Sequence, residues 1–505
     1  MLLLAYTVSC WRMGPQALDD SYMFVRYADQ ILSGHGYSWN DVDGPTYGCT
    51  STAFTLVVTL GRALAPQVAP LDLVLYIGRF IGVLGLISLG MVLRRSAHPL
   101  LYWGALFWTA LWPKYSYHTS TGMDTGLAWC AICLLLLCCQ RLRTSGTTKD
   151  TIYCALVAWL SFNVRPDSGI YAALLPVLFM WPKRKLIVQF SFSFGLLLFI
   201  DTAIKWHYFG DPLPLPFYAK STGMLEGYLG WYRWNPIKYA YILALCLSPA
   251  ICWMTIGFRR DKWKWFLILG LPVFMSILYF FRVTQIMGEN GRYYYPALPI
   301  LFLLAAQYPP PDKWFSPQVY KRITGLLIVG VLSLFVRAPA MNTWVELTKP
   351  SDLLMGVEGA ASEESPLNLS WLDAKNAMVE LCKRLPEGSK IAASEHGEMA
   401  ALCPKIQIID TTGLHNPSIA HSGFNMALLI EEKPDLIWLP HSDYSGQLKS
   451  VLTSPLFFEN YHYYPSAYSY GIAIEKDKTE VASVVAKQWT KLYPNNKMDM
   501  HLFHP

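Results

Sequence analysis

The chain has 505 residues, of which 53% are hydrophobic and only 15% are charged, whereas an average soluble domain carries about 25% charged residues. The mean hydropathy is +0.27, and long apolar runs recur, which is typical of an integral membrane protein. The net charge of +6 is small for this length and argues against a nucleic-acid-binding surface. No Walker-type glycine loop is present to drive ATP-dependent transport.

Apolar stretches near the length that a helix needs to cross a bilayer occur along the first two thirds of the chain. The predicted spans, about eleven in number, are residues 1–16, 70–93, 99–118, 124–141, 151–165, 168–181, 186–207, 236–258, 263–283, 293–308 and 323–338. With the N-terminus in the cytoplasm, every basic cluster between them lies on the cytoplasmic side, as basic loops usually do.

Two segments are predicted to touch the membrane without crossing it. In residues 20–34, Phe24, Tyr27 and Ile31 recur at helical spacing while Arg26 lies off their stripe, which predicts an amphipathic helix in the membrane interface. Residues 52–66 are apolar but short and end at a proline, so they favour a re-entrant or interfacial helix.

From about residue 339 the apolar runs shorten and charges become more frequent. Residues 390–394, 406–410 and 435–439 read as short buried strands, and 420–433 as a helix between two of them. We therefore predict a mainly α polytopic membrane domain over 1–338, followed by a small extracytoplasmic α/β domain over 339–505. Cys382 and Cys403 in the second domain form either a disulfide or two buried thiols.

The unusual polar residues of the membrane domain gather in loops predicted on the extracytoplasmic face. Asp19 and Asp20 begin the amphipathic helix. Helix capping accounts for one aspartate at this position, but a second carboxylate beside lipid is costly. The pair therefore indicates a general base together with a neighbour that orients the substrate or holds a cation.

Cationic residues in the later outer loops are candidates for binding a phosphate. Arg165 precedes Pro166, which breaks the helix. The partner of Arg165 is either a carboxylate, such as that of Asp167, or a lipid phosphate. Arg292 presents the same choice, and Lys220 ends a stiff proline-rich loop. Arg26 completes the predicted donor-phosphate group.

Seven motifs in chain order carry a family resemblance. They are DDSYMFVRYADQILSGHGYSWN, YGCTSTAFTLVV, TGMDTGLA, VRPDSGIYA, HYFGDPLPLPFYAKS, GRYYYPALP and IIDTTGLHNPSIA. Together they resemble the bacterial GT-C membrane glycosyltransferases related to the terminal arabinofuranosyltransferase of the mycobacterial cell wall. The resemblance covers about residues 17–420, and it extends to a branch that transfers arabinofuranose to type IV pilin. The chain departs from the family pattern at Thr52 and Asp124.

The resemblance implies a GT-C-like fold and a polyprenyl-phosphate sugar as donor, used on the outer face of the bacterial inner membrane. It implies catalysis by an aspartate of the first outer loop, which corresponds to Asp20 or Asp19, with Asp20 preferred. The candidates for substrate binding are His118, Asp124, Asp167, Tyr218, Tyr293, Tyr294, His396 and His415.

The expected reaction moves a sugar, D-arabinofuranose, from decaprenyl or undecaprenyl phosphate to a glycan or pilin acceptor. The alternatives are transfer of mannose or another sugar from the same kind of donor, and transport of the lipid-linked sugar without chemistry. No cofactor is evident from the sequence. Two aspartates side by side leave a divalent cation open, although no ligand set is recognisable.

Overall fold

The computed structural model describes residues 1–14, 18–221, 235–281, 289–311, 371–441, 444–465 and 467–492. The predicted span at 323–338 and the predicted domain boundary near residue 338 lie outside these ranges.

The first part of the chain is helical. Its helices are α1 (Leu2–Met13), α2 (Asp19–Leu32), α3 (Thr52–Leu64), α4 (Pro70–Leu93), α5 (Pro99–Leu111), α6 (Pro113–Thr119), α7 (Thr125–Ser145), α8 (Thr148–Val164), α9 (Gly169–Met180), α10 (Arg184–Phe209), α11 (Leu215–Ser221), α12 (Asn235–Cys246), α13 (Ser248–Ile256), α14 (Leu271–Phe280) and α15 (Leu298–Ala306). Short 3₁₀ or π segments occupy Pro166–Ser168, Arg260–Lys262, Phe266–Gly270 and Glu289–Ala297.

Three helices in the described ranges, α4, α7 and α10, are long and apolar enough to cross a membrane, and a bent pair over Pro236–Ala244 and Ser248–Ile256 is a fourth candidate. Helix α7 packs between α4 and α8 in the middle of the bundle. Helix α10 instead exposes large side chains such as Phe192 and Phe199, which suits a lipid-facing surface. The predicted total of about eleven spans stays a prediction.

Helices α2 and α3 lie where the sequence predicted its two non-crossing segments, and they pack against each other. Ser51 caps α3 by accepting a hydrogen bond from the backbone nitrogen of Phe54. Helix α2 is buried on most of its circumference, including Arg26 and Gln30. Its polar side chains therefore contact protein, and most of the residues that Arg26 contacts belong to the C-terminal part of the chain.

The C-terminal part is an α/β unit. Its elements are α16 (Trp371–Cys382), β1 (Lys390–Ala393), α17 (Gly397–Leu402), β2 (Gln407–Asp410), α18 (Pro417–Ser422), α19 (Met426–Glu431), β3 (Leu436–Trp438), α20 (Ser445–Leu452), α21 (Pro455–Asn460), β4 (Tyr461–Tyr464), β5 (Ile472–Glu475) and α22 (Thr479–Leu492). Cys382 and Cys403 are free thiols.

The sheet has the strand order β2-β1-β3-β5-β4. Strand β1 is parallel to both β2 and β3, whereas β5 is antiparallel to β3 and β4. The register pairs Ala393 with Asp410, so the carboxyl ends of β1 and β2 lie side by side. In open sheets the loops that leave such ends commonly carry functional side chains.

Helix α2 packs against α17 at this edge of the sheet. Trp39, from the loop after α2, donates from its indole nitrogen to the carbonyl of Ile408 at 2.9 Å. Asn40 accepts from the backbone nitrogen of Ile408 at 2.9 Å. The first loop of the chain is thus hydrogen-bonded to strand β2, and α2 is enclosed between the helical bundle and the α/β unit.

Candidate functional site

Asp20 occupies the first turn of α2, deep inside the fold, and yet its side chain keeps partial exposure. Among the residues that the structure describes, none forms a hydrogen bond or ion pair with its carboxylate. Burial raises the pKa of Asp20, while the charges of Arg292, Lys220 and His396 oppose that rise. A carboxylate with a raised pKa and no partner has the properties of a general base.

Arg292 is the charge that acts most strongly on Asp20. Its side chain is 8% exposed, and its Nε and Nη1 have no hydrogen-bond partner in the described structure. The guanidinium carbon lies 5.3 Å from the centre of the Tyr293 ring. Since an unpaired buried guanidinium is costly, this arrangement is suited to an anion that arrives from outside the chain.

Arg165 lies on the same Tyr293 ring, at 4.9 Å from its centre, so the two predicted arginines meet at one side chain. Arg165 is already paired, because its Nε and Nη2 bind Asp167 at 3.0 and 2.8 Å. Its Nη1 also lies 3.4 Å from Asp124. The sequence left either a carboxylate or a lipid phosphate as the partner of Arg165, and the structure provides carboxylates. Arg292, whose Nε and Nη1 have no described partner, is therefore the better candidate for binding a phosphate.

Lys220 lies in the last turn of helix α11, so the end of the predicted proline-rich loop is helical, and its side chain is partly exposed. No described residue binds its ammonium, and its charge reaches Asp20. Tyr218 is two residues away, but its ring lies 4.4 Å from His421 of α18. The two side chains therefore have different surroundings. Lys220 acts through its charge on Asp20, whereas Tyr218 lies at the contact between α11 and the α/β unit.

Asp19 and Asp20 are adjacent in the chain and differ completely in surroundings. The Asp19 carboxylate accepts hydrogen bonds from the backbone nitrogens of Gly397 at 2.7 Å and Glu398 at 3.1 Å. Lys375 lies 3.9 Å from it. Asp19 therefore caps helix α17 from outside that helix. This favours the sequence-based preference for Asp20 as the catalytic aspartate, with Asp19 as a positioning residue.

Arg26 requires a correction to the predicted site. Its five N–H groups are all used: they donate to the carbonyl oxygens of Trp39, Ala400, Pro404 and Ile406 and to the side chain of Asn40. The residue is 2% exposed. A guanidinium has only five donors, so none remains for a phosphate. Arg26 fastens α2 to the α/β unit, and its predicted contact with the donor phosphate is dropped.

The remaining aromatic candidates lie around the two arginines. Tyr293 lies between Arg165 and Arg292, as described above. Tyr294 packs on Phe280, with ring centres 4.9 Å apart. His118 is buried against Tyr295, with ring centres 4.3 Å apart, and is held within the apolar core. Tyr293 is thus the aromatic residue nearest to the charged groups.

His396 and His415 come from the loops after β1 and β2. His415 stacks on Trp39 at 3.8 Å between ring centres. Its Nδ1 pairs with the hydroxyl of Tyr27 at 2.9 Å, and its Nε2 lies 3.1 Å from Met23 Sδ. Burial, and then the charge of His396, hold the pKa of His415 well below its ordinary value, so His415 is a neutral structural residue. His396 is buried as well, with 1% of its surface exposed.

Comparisons with known proteins agree with this arrangement at the level of the fold. No protein-family model matches the chain, and no curated protein matches it. The crystal structure of ArnT from Cupriavidus metallidurans bound to undecaprenyl phosphate is similar, with a TM-score of 0.52 over 94% of this chain and 96% of that chain. The chain therefore shares its overall fold with that protein. At 12% identity the similarity extends to the fold alone.

Several residues that build the site were not predicted. Lys375 of α16 binds Glu398 at 2.6 Å and supports Asp19. Asn40 and Trp39 attach the first loop to β2. The contacts that Trp39 and Asp19 make join residues more than three hundred positions apart. No local sequence pattern predicts such pairs. Asp410 offered a weak signal, since it is the acidic residue that ends the predicted buried strand 406–410.

Proposed function

We propose that this protein transfers a sugar, D-arabinofuranose, from a polyprenyl-phosphate donor to a hydroxyl of a glycan or pilin acceptor on the extracytoplasmic face of the membrane. The observation that carries the proposal is Arg292, a buried guanidinium with unpaired nitrogens beside a partner-free carboxylate, Asp20. An anionic donor head group pairs with the first residue, and an acceptor hydroxyl gives its proton to the second.

The roles follow from the charges around Asp20. Arg292 and Lys220 hold the donor phosphate and stabilise the negative charge that grows on it as its bond to the sugar breaks. Arg165 is neutralised by two carboxylates and keeps Tyr293 in place beside the phosphate. Asp20 takes the proton from the acceptor hydroxyl as that oxygen bonds to the sugar carbon. The likeness to a protein crystallised with undecaprenyl phosphate supports this donor class.

Donor binding is tested with undecaprenyl phosphate itself as the probe. The full chain is placed in nanodiscs of phosphatidylethanolamine and phosphatidylglycerol, and affinity is compared between wild type, Arg292→Gln and Arg259→Gln. Arg259 is a matched control because it pairs with Asp261 on the surface. A charge-assisted hydrogen bond is worth about 1.5–3 kcal/mol, so Arg292→Gln should weaken binding roughly 10- to 150-fold. Equal affinities for all three proteins would contradict the proposal.

Turnover is tested with synthetic polyprenyl-phospho-arabinofuranose, and with the mannose analogue, each in the presence of a glycan or pilin acceptor, by measuring release of polyprenyl phosphate. Wild type should release it from the arabinofuranose donor, and Asp20→Asn should not. Preference for the mannose donor would change the assigned sugar while keeping the chemistry. The labelled donor could instead cross the nanodisc or vesicle bilayer without release of polyprenyl phosphate. That result would show that the protein is a transporter and not a transferase.

A further inference from the structure

A histidine and an aspartate meet where two neighbouring parallel strands end. His396 follows β1 and Asp410 ends β2, and the register of these strands places their ends together. His396 Nδ1 lies 3.5 Å from Asp410 Oδ1 and 3.1 Å from the carbonyl oxygen of Ser394. One side of the imidazole is therefore fixed by a carboxylate and a carbonyl, which orients the ring and favours a proton on Nδ1.

The opposite side of the His396 ring makes no hydrogen bond to a described residue. His396 is 1% exposed, and its Nε2 is buried with no hydrogen-bond partner among the described residues. Trp39 and His415 pack edge-on against the ring, with centres at 5.4 and 5.3 Å. A rigidly held imidazole with one free nitrogen in a buried place is costly for stability and is typical of a group that meets a substrate.

The chain brings this histidine to Asp20 through adjacent residues. Asp19 binds the backbone nitrogen of Gly397, so the residues next to Asp20 and next to His396 are joined directly. The charge of His396 acts on Asp20 accordingly. A side chain on residue 397 has no space, because its Cβ would lie 2.2 Å from the carbonyl oxygen of Asp19. Gly397 thus permits the close approach of the two backbones.

From these observations we infer that His396 is a second acid–base residue of the transfer reaction, supplied by the α/β unit and held in place by Asp410. The inference rests on the proposed function. The acceptor O–H bond breaks as its oxygen bonds to the sugar carbon, and the polyprenyl phosphate leaves with the electron pair of the broken sugar–phosphate bond. Asp20 takes the acceptor proton, and His396 Nε2 then takes that proton from Asp20. Asp410 is a positioning residue.

A bound cation is the competing explanation for this cluster. Ligand atoms of His396, Asp410 and His415 lie within 4.8 Å of one another. Both ring nitrogens of His415, however, already have partners. Asp410 accepts from the backbone nitrogens of Thr412 and His415 and from the Thr412 hydroxyl. Only His396 Nε2 is free, and one free nitrogen suits a proton better than a metal ion.

The charged and titratable groups that surround the imidazole come from α2, α16, α17 and the loop after β2. They are Asp19, Asp20, Lys375, Glu398, Asp410 and His415. A base must be unprotonated to act, so the rate should fall on the acidic side of the pH profile. Replacing His396 should therefore alter the acidic side of the profile, and Asp410→Asn, which removes the carboxylate that orients the ring, should lower the rate.

The test compares purified wild type, His396→Gln, His396→Asn, Asp410→Asn and, as a control in the same unit, His462→Gln. Single-turnover release of polyprenyl phosphate from polyprenyl-phospho-arabinofuranose is measured across pH, together with undecaprenyl phosphate affinity, unfolding temperature and metal content. His396→Asn keeps an amide near Ser394 and Asp410, so it serves if His396→Gln fails to fold.

We expect either His396 variant to lose about 100-fold or more in rate, with donor affinity within twofold of wild type and an altered acidic limb. His462→Gln should match wild type. Wild-type rates and pH profiles in folded His396 variants would overturn the inference and leave the proposed function standing. One equivalent of metal in wild type, lost in His396→Gln and needed for turnover, would also overturn it. Failure of wild type to release polyprenyl phosphate from any sugar donor would overturn both.

Discussion

The carboxylate of Asp19 accepts a hydrogen bond from the backbone nitrogen of Gly397 at 2.7 Å, across 378 residues of sequence. This contact fixes the start of α2 against the start of α17. Because Asp20 follows Asp19 and His396 precedes Gly397, this contact directly links the positions of the two proposed catalytic residues.

Substitution of Gly397 tests that link directly. In Gly397→Ala the added Cβ would lie 2.2 Å from the Asp19 carbonyl oxygen and 2.8 Å from its Oδ2, so α17 must move away from α2. We expect a loss of about 1–3 kcal/mol of stability and slower sugar transfer. Thermal unfolding in detergent and the turnover assay measure the two effects.

Gly446 provides the control for that substitution, because nothing lies within 4 Å of a Cβ built there and alanine favours its helix. Gly446→Ala should leave turnover unchanged and keep or raise stability. An unfolding temperature of Gly397→Ala equal to that of Gly446→Ala would show that the close approach of the two backbones is unimportant.

The two adjacent aspartates should separate into a structural and a catalytic residue. Asp19→Asn weakens the cap of α17 and leaves Lys375 with less negative charge nearby, so we expect a lower unfolding temperature. Asp20→Asn should abolish turnover while keeping or raising the unfolding temperature. The comparison needs only the purified variants and two assays, and the opposite pattern would reverse the assignment of roles.

The pH dependence of stability has a defined sign at Asp20. Burial raises the pKa of its carboxyl above the ordinary value of 3.8, so the folded state holds the proton more tightly than the unfolded state. The resulting stabilisation is complete below the ordinary pKa and is lost as the pH rises through the folded-state value. Unfolding temperatures of wild type and Asp20→Asn should therefore diverge in favour of the variant as the pH rises; parallel curves would contradict this.

Arg26→Lys tests the correction made to the predicted phosphate site. A lysine ammonium has three donors where the guanidinium uses five, so buried carbonyl oxygens such as that of Ile406 lose their partner. Each unsatisfied buried group costs about 1–3 kcal/mol, and stability should fall accordingly. The folded fraction should bind undecaprenyl phosphate with wild-type affinity. A selective loss of that affinity would restore Arg26 to the donor site.

Arg165 and Arg292 should respond oppositely to the same change. Arg165→Gln leaves the carboxylates of Asp124 and Asp167 buried without their cation, a loss on the order of 3–5 kcal/mol. Arg292→Gln removes a charge that has no partner, so stability should be kept while donor affinity falls. Chemical denaturation and donor binding on the two variants separate a structural arginine from a ligand-binding one.

Local patterns predicted much of the fold. The helical spacing of Phe24, Tyr27 and Ile31 lies within α2, and the re-entrant segment predicted at 52–66 is α3 over Thr52–Leu64. The three predicted strands appear as β1, β2 and β3. Strands β4 and β5 were missed; in β4, His462 and Tyr463 interrupt the apolar alternation. The helix predicted at 420–433 is two short helices, α18 and α19.

The partners of the charged residues could not be predicted in the same way. Arg165 was recognised as needing an anion, and the sequence offered Asp167 beside it, but Asp124 lies on another helix. Arg26 was placed on a polar face, which the hydrophobic pattern indicates correctly. That face contacts the α/β unit, and the spacing of apolar residues within α2 does not predict this contact.

Ribosomes make α2 long before the residues that hold it. Gly397 is joined to the chain nearly four hundred amino acids after Asp19, on the order of tens of seconds later at ordinary elongation rates. A nascent chain therefore carries Asp19 without its hydrogen-bond partner throughout that time. The proposed pairing of Asp20 with His396 can form only after the first strands of the α/β unit have been synthesised.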